Sequence, residues 1–317
     1  MKEKRFFNLL VFLLSLICFL GITEITMRIF LKDALGIRVD EMTVLYRYDE
    51  NLGWFPLENS NKTVKANKIF EVEHNSRGFR DSEHIIGHNP RIVFLGDSFV
   101  WGYDVDQQER FTEKLRDKLS NVSIYNLGVS GYGTDQQYLL LMQQYDFYKP
   151  DIVFLVFCTD NDKNENSHNY VHRGYFKPYF VVNGDNLTLK GVPVPKSWRY
   201  FIKRHDVLSY SCWFRFITKS YFKYLGPPPL ELNDPTYAII SSMNNFIKSR
   251  GAKFLVGLQE VDSNLKIYLK DNNIPFVDLS TSYIYPTYGN HWTPEGHLIV
   301  SEKIHDFLTK EKFLKKN

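Results

Sequence analysis

Apolar residues recur along this chain with two alternating periods. Residues 92–95, 122–125, 152–157, 253–258 and 276–279 are short, nearly continuous apolar runs. Their length and their β-branched and aromatic content suit strands buried on both faces, as in a parallel sheet. Between these runs the spacing turns helical. Phe111, Leu115 and Leu119 fall on one helix face. Thr134 with Gln137 three residues later is a capping-box pattern ahead of the apolar residues 139–142. Residues 237–247 and 264–269 read as helices, and Thr293 followed by Pro294 opens a last helix carrying Ile299, Ile304 and Phe307. Strand and helix in this alternation predict a right-handed parallel α/β sheet.

Three stretches stand outside the rhythm. Residues 6–23 are apolar except for Asn8, Ser15 and Gly21, and follow Lys2, Lys4 and Arg5. The run is near the ~20 residues that cross a bilayer as a helix, and the basic flank predicts a cytoplasmic N-terminus. Phe19-Leu20-Gly21-Ile22 is a poor cleavage site, so an uncleaved anchor is favoured over a signal peptide. Residues 32–90 read as an irregular lead-in. Its stretch 75–81 carries Arg77 and Arg80 and is read as a turn packed on the main domain in preference to an anion site. Residues 163–235 are rich in Asn, Tyr, Phe, Lys and Pro. They contain a hairpin pattern around Asn183-Gly184, then aromatics at 210–224 that suggest helices, then the stop Gly226-Pro-Pro-Pro229. The chain thus divides into an anchor or signal at 1–31, a lead-in at 32–90, and a domain at 91–317 with an aromatic-rich insertion at 163–235 that reads as a lid or side subdomain.

Composition narrows the class without choosing within it. The 317 residues are 44% hydrophobic and 24% charged with a net charge of +3, too small and too mixed for a nucleic-acid partner. Cys18, Cys158 and Cys212 are far apart and form neither a disulfide framework nor a zinc spacing, and no metal or cofactor is implied.

The candidate chemistry lies where strands end. Gly96-Asp97-Ser98 follows the first run, the glycine-rich loop 128–133 the second, Asn161 the third and His291 the last. In a parallel sheet these loops emerge on one edge, where ligands bind. Acyl transfer needs a nucleophile, a base within hydrogen-bond reach and donors for an oxyanion. Ser98 can attack, His291 can take its proton, and the backbone N–H groups of Ser98 and Gly131 with the Asn161 amide can bind the developing charge. His297 is read as a packing or capping residue.

These blocks, in this order and strand context, resemble the SGNH hydrolases of the GDSL superfamily. Gly96-Asp97-Ser98 resembles the family's first block, Asn126-Leu-Gly-Val-Ser-Gly131 its second, Asn161-Asp162 its third and His291 with Gly296-His297 its last. The resemblance covers about 91–162 and 237–310. It implies a three-layer flavodoxin-like parallel sheet, Ser98 as nucleophile, His291 as base, and Ser98, Gly131 and Asn161 as the oxyanion hole. The N-terminus and the insertion resemble a membrane-anchored, bacterial exported branch. Two departures stand out. Thr159 replaces the usual glycine before the asparagine, and Tyr288 and Gly289 stand where an aspartate usually precedes the base. A Ser98–His291 dyad is therefore expected, with Asp278 as first substitute acid and Glu295 as second. The function implied is ester cleavage through an acyl-Ser98 intermediate outside the cytoplasm, with acetyl esters of envelope glycans as substrates. O-acyltransfer to a glycan uses the same residues, and a carbohydrate-binding pseudoenzyme draws support from the missing aspartate.

Overall fold

In a computed structural model, the chain is described at residues 2–36, 44–87, 90–171, 174–184, 186–203, 208–287 and 289–314. It divides into two compact units: Leu45–Pro195 with Pro229–Asn317, and Met1–Val44 with Lys196–Pro228.

The larger unit is built on five parallel strands: β1 (Arg91–Leu95), β2 (Ser123–Asn126), β3 (Ile152–Phe157), β4 (Lys253–Leu258) and β5 (Phe276–Asp278). Their order across the sheet is β5-β4-β3-β1-β2, and every neighbouring pair is parallel. This is the flavodoxin-like order, with the reversal of direction between β1 and β3. β3 is buried at every position, as an apolar run without alternation requires. Helices α2 (Phe111–Lys118) and α7 (Pro294–Lys310) pack together on one face. There Ile92, Phe94, Phe154, Leu115, Val300 and Ile304 belong to one buried cluster. Helices α3 (Thr134–Tyr148) and α5 (Thr236–Lys248) pack together as well, and α6 (Ser263–Asp271) joins α5 through a stack of Tyr268 on Tyr237. The α/β, three-layer expectation holds.

The lead-in is not irregular. Tyr46–Asp49 pairs with Gly53–Pro56, and Asn61–Lys65 with Ile69–Glu73, as two antiparallel ribbons. In the second ribbon only Val64, Phe70 and Val72 are buried, and its outer face is mostly charged or polar, which leaves a faint signal. Arg77 and Arg80 are packed, as expected for that turn. Arg77 lies 3.6 Å over the Phe147 ring and donates to Gln144 at 2.6 Å. Beyond β3, the hairpin expected near Asn183-Gly184 forms between Tyr179–Asn183 and Asn186–Lys190. The chain from 163 to 235 does not stay together, since its middle part, from Lys196 to Pro228, falls in the smaller unit.

In the smaller unit, α1 (Lys2–Phe30) is the one helix among the described residues that is long and apolar enough to cross a membrane. Its polar end meets α4 (Cys212–Leu225), whose first turn is capped by Ser211.

Between α3 and the chain after β3, three ionisable side chains are buried together. Lys177 bonds the Asp135 carboxylate, and Glu165 beside them has an oxygen with no hydrogen-bond partner. Burial pushes the Glu165 carboxyl from its ordinary 4.5 up to about 7, against the opposing pull of Lys177. Below the unfolded value both states hold the proton and the group costs nothing. As pH rises, the unfolded chain ionises first, so stability is lost up to about 7. Glu165→Gln should therefore melt above the parent at about pH 8, by roughly 1–3 kcal/mol, and the gap should close toward about pH 5. Thermal melts of both proteins across that range check it; a pH-independent gap would mean Glu165 is not held neutral.

Candidate active site

Ser98 begins the short helix Ser98–Trp101, at the carboxyl end of β1. Asp97 caps that turn, its Oδ1 accepting from the Phe99 N–H at 2.9 Å. The loop after β2 presses against the same turn, which only glycine permits at 128: a Cβ there would lie 2.5 Å from the Trp101 nitrogen. The nucleophile candidate is thus fixed by a side-chain cap from within and a close backbone contact from outside.

His291 arrives from the loop after β5. Its Nε2 lies 2.8 Å from Ser98 Oγ. Its Nδ1 lies 3.3 Å from Oδ2 of Asp104. In the Nδ1–H tautomer the ring donates to the carboxylate and accepts from the hydroxyl. The ring is steadied by Phe99 and Tyr103, with centroids 5.2 and 4.6 Å away.

Asp104 was not expected. It stands six residues after Ser98 on the same loop, in the left-handed region at φ 68°. Asp and Asn tolerate that region better than most residues. Its carboxylate also accepts from the Asn67 backbone N–H and from Asn67 Nδ2, both at 2.8 Å. Burial opposes its charge, but the bonds from His291 and Asn67 outweigh burial and hold the carboxyl below its ordinary value. Asn67 in turn donates to the Thr287 carbonyl at 2.8 Å, so the lead-in ties the acid's loop to the histidine's. The expected substitutes lie elsewhere. Asp278 accepts from the Ser280 N–H at 2.8 Å and caps that turn. Glu295 accepts from Thr293 Oγ1 at 2.9 Å in the first turn of α7. The expected Ser98–His291 dyad would have a backbone carbonyl at Nδ1; in this geometry the partner there is Asp104. Tyr288, one of the two positions where an aspartate usually precedes the base, lies outside the described residues.

Arg80 holds the loop that carries Asp104. Its buried guanidinium donates to the carbonyls of Glu71 at 2.6 Å, Val105 at 2.7 Å and Trp101 at 3.4 Å, and to that of Gly102.

Ser98, Asn161 and His291 line one cavity of about 430 Å³, together with Cys158, Asp160 and Asn290. Asn161 Nδ2 donates to Asp97 Oδ2 at 3.1 Å, and its Oδ1 is buried without a hydrogen-bond partner. Gly131 is at φ 82° on the neighbouring loop, where a Cβ would meet only Trp54, and it does not line that cavity. Cys158 is no rival nucleophile: burial, reinforced by Asp97 and Asp162, raises its thiol well above the ordinary range. Burial, with Asp97 beside it, likewise raises the Asp162 carboxyl. His297 packs as expected. It lies against the Phe111 ring, accepts from the Phe111 N–H at 3.3 Å, and is kept neutral by burial and by Arg110, with its pKa lowered to about 3.

No family model matches the chain, and no curated protein matches it. Solved structures do. A member of the lipolytic protein G-D-S-L family from Veillonella parvula is 14% identical at a TM-score of 0.39, over 69% of this chain and 98% of its own. The psychrotrophic esterase EstA from a Pseudoalteromonas species is 13% identical at 0.40, over 71% of this chain and 99% of its own. The lipase/acylhydrolase from Enterococcus faecalis is 14% identical at 0.39, over 70% of this chain and 96% of its own. Likeness at this level leaves the chemistry to be read from the side chains.

Proposed function

We propose that this chain is a serine esterase of the SGNH type, with Ser98 as nucleophile, His291 as base and Asp104 as the acid that orients the base. The observation that carries the reading is the 2.8 Å contact of His291 Nε2 with Ser98 Oγ, backed by a buried carboxylate on the other ring nitrogen. Ser98 Oγ attacks the ester carbonyl carbon as its proton passes to His291 Nε2. Asp104 favours the resulting imidazolium and fixes the ring's orientation. Negative charge on the carbonyl oxygen is met by the Asn161 amide and the Ser98 N–H; Gly131, outside the cavity lining, is not needed as a donor in this reading. Collapse expels the alcohol, which leaves with the proton from His291, and water repeats the sequence to release the acid.

Short acyl groups on polyhydroxylated alcohols, such as acetyl esters of envelope glycans, suit a cavity whose lining includes Asp160, Asn161 and Asn290. The carboxylate beside Nδ1 supports the enzyme reading over a pseudoenzyme. We read α1 as a retained anchor with the larger unit outside the cytoplasm. The basic flank of Lys2, Lys4 and Arg5 supports that side, and the bonds of Thr23 and Glu24 to α4 support retention.

Ser98→Ala should abolish labelling by a fluorophosphonate probe and slow p-nitrophenyl acetate cleavage by at least about a thousandfold with the fold intact. Parent-like turnover in that variant would discard the nucleophile. Asp104→Asn should lower kcat by roughly a hundredfold or more with KM little changed, because the tautomer and not the binding is lost. Asp278→Asn, tested alongside, should stay within about tenfold of the parent; the opposite ranking would return the role to Asp278. Alkaline phosphatase fused after Asn317 should be active, and an inactive, stably expressed fusion would reverse the topology.

A further inference from the structure

We infer that α4 is a second membrane element, an interfacial helix lying at the boundary of headgroups and acyl chains. The inference rests on reading α1 as a retained anchor. Residues 6–23 of α1 carry no charge, their apolar run interrupted only by Asn8, Ser15, Gly21 and Thr23, and the first charges after it are Glu24 and Arg28. At about 1.5 Å per residue this run covers about 27 Å, close to the ~30 Å of a hydrocarbon core. Thr23 and Glu24 then stand at the edge of the lipid.

α4 starts at that level. Glu24 accepts from the N–H groups of Cys212 at 2.8 Å and Trp213 at 3.2 Å, so its charge caps the helix N-terminus. The Trp213 indole donates to Thr23 Oγ1 at 3.0 Å. A tryptophan bonded to the last residues of an apolar span occupies the depth at which indoles gather in membrane proteins.

The two sides of α4 differ. On one, Arg215 donates to the carbonyls of Leu35 at 3.2 Å and Gly36 at 2.7 Å, and Lys219 to that of Ala34 at 2.7 Å. The chain that follows α1 takes up this side. On the other, Ile217, Tyr221 and Tyr224 follow one another at helical spacing and are 61, 60 and 78% exposed. An aliphatic and two phenol side chains in line, beside the end of a membrane span, match the place where an apolar body is buried and a polar tip stays wet. Exposed Lys223, one turn beyond Lys219 and with its Nζ 5.6 Å from the Tyr224 ring, suits anionic headgroups at the helix's C-terminal end. The occupant of the strip is therefore the same bilayer that α1 crosses.

The test uses full-length protein with Cys18→Ser, whose remaining native thiols, Cys158 and Cys212, are buried. Bimane is placed on Ile217→Cys, Tyr221→Cys, Ile17→Cys or Ile267→Cys in separate samples. Ile267 is exposed on α6 of the other unit and serves as the soluble reference. Each sample is reconstituted in vesicles of phosphatidylcholine and phosphatidylglycerol that contain nitroxide lipids, labelled either near the headgroup or at the acyl-chain end. The shallow nitroxide should quench positions 217 and 221 at least about threefold more than 267, while the deep one quenches 17. Quenching at 17 with 217 and 221 no better than 267 overturns the interfacial helix and leaves the anchor standing. Absence of quenching at 17 overturns both. Protection of 217 and 221 from aqueous iodide that fades on dilution, without quenching by lipid, overturns it in favour of a second copy covering the strip.

Discussion

The guanidinium of Arg80 spends its hydrogen bonds on backbone. It meets the carbonyls of Glu71, Trp101, Gly102 and Val105 and lies over the rings of Trp101 and Phe70, at 4.7 and 5.2 Å. Bonds from a charged donor contribute roughly 1.5–3 kcal/mol each. Ordering a loop costs roughly 1–2 kcal/mol per residue. The two are of the same order over residues 101–105, which belong to no long helix or strand. That balance lets Asp104 keep a left-handed backbone conformation and point its carboxylate at His291. Asn67 then fixes the carboxylate itself, and Thr287 fixes Asn67. The acid, the lead-in ribbon and the histidine loop are one connected arrangement, with a buried cation beneath it.

This explains which parts of the site were legible in the sequence. Ser98 and His291 are announced locally, by an apolar run that stops at a glycine and by a helix start with a Thr cap and a proline. The sheet order follows from the same punctuation, since parallel strands with short connections leave few topologies. Asp104 is announced by nothing local. Its role depends on a positive φ, on carbonyl bonds from Arg80 and on a side chain from the lead-in, all contacts between residues far apart in the chain. Just before the histidine stand Tyr288 and Gly289, neither an acid, and Asp278 has only its strand-end position to recommend it. The one usable clue was that a buried-strand nucleophile turn is followed, six residues on, by an acid. The lead-in ribbons are faint in the sequence because their strands are only four or five residues long, one of them, Gly53–Pro56, buried throughout and so without alternation.

The smaller unit shows how an apparently loose aromatic stretch can be specified by a remote polar group. Residues 210–224 hold enough Phe, Tyr and Trp to predict helix, but not where that helix would start. Ser211 supplies a local cap, and Glu24 on α1 adds a remote one by accepting from the first N–H groups of α4. The middle of the insertion is thus tied to the N-terminal helix as well as to its own sequence.

Ser98 and Asp104 share one loop, and His291 comes alone from another, beside Gly289 and Asn290, which both have positive φ. The separation of hydroxyl and carboxylate is consequently set within a single short segment. The position of the ring depends on a different one. A shift of residues 289–291 would move the imidazole away from both partners in the same stroke. The loops are joined through the Asn67 bond to Thr287 as well, and bending that join would part the imidazole from hydroxyl and carboxylate together.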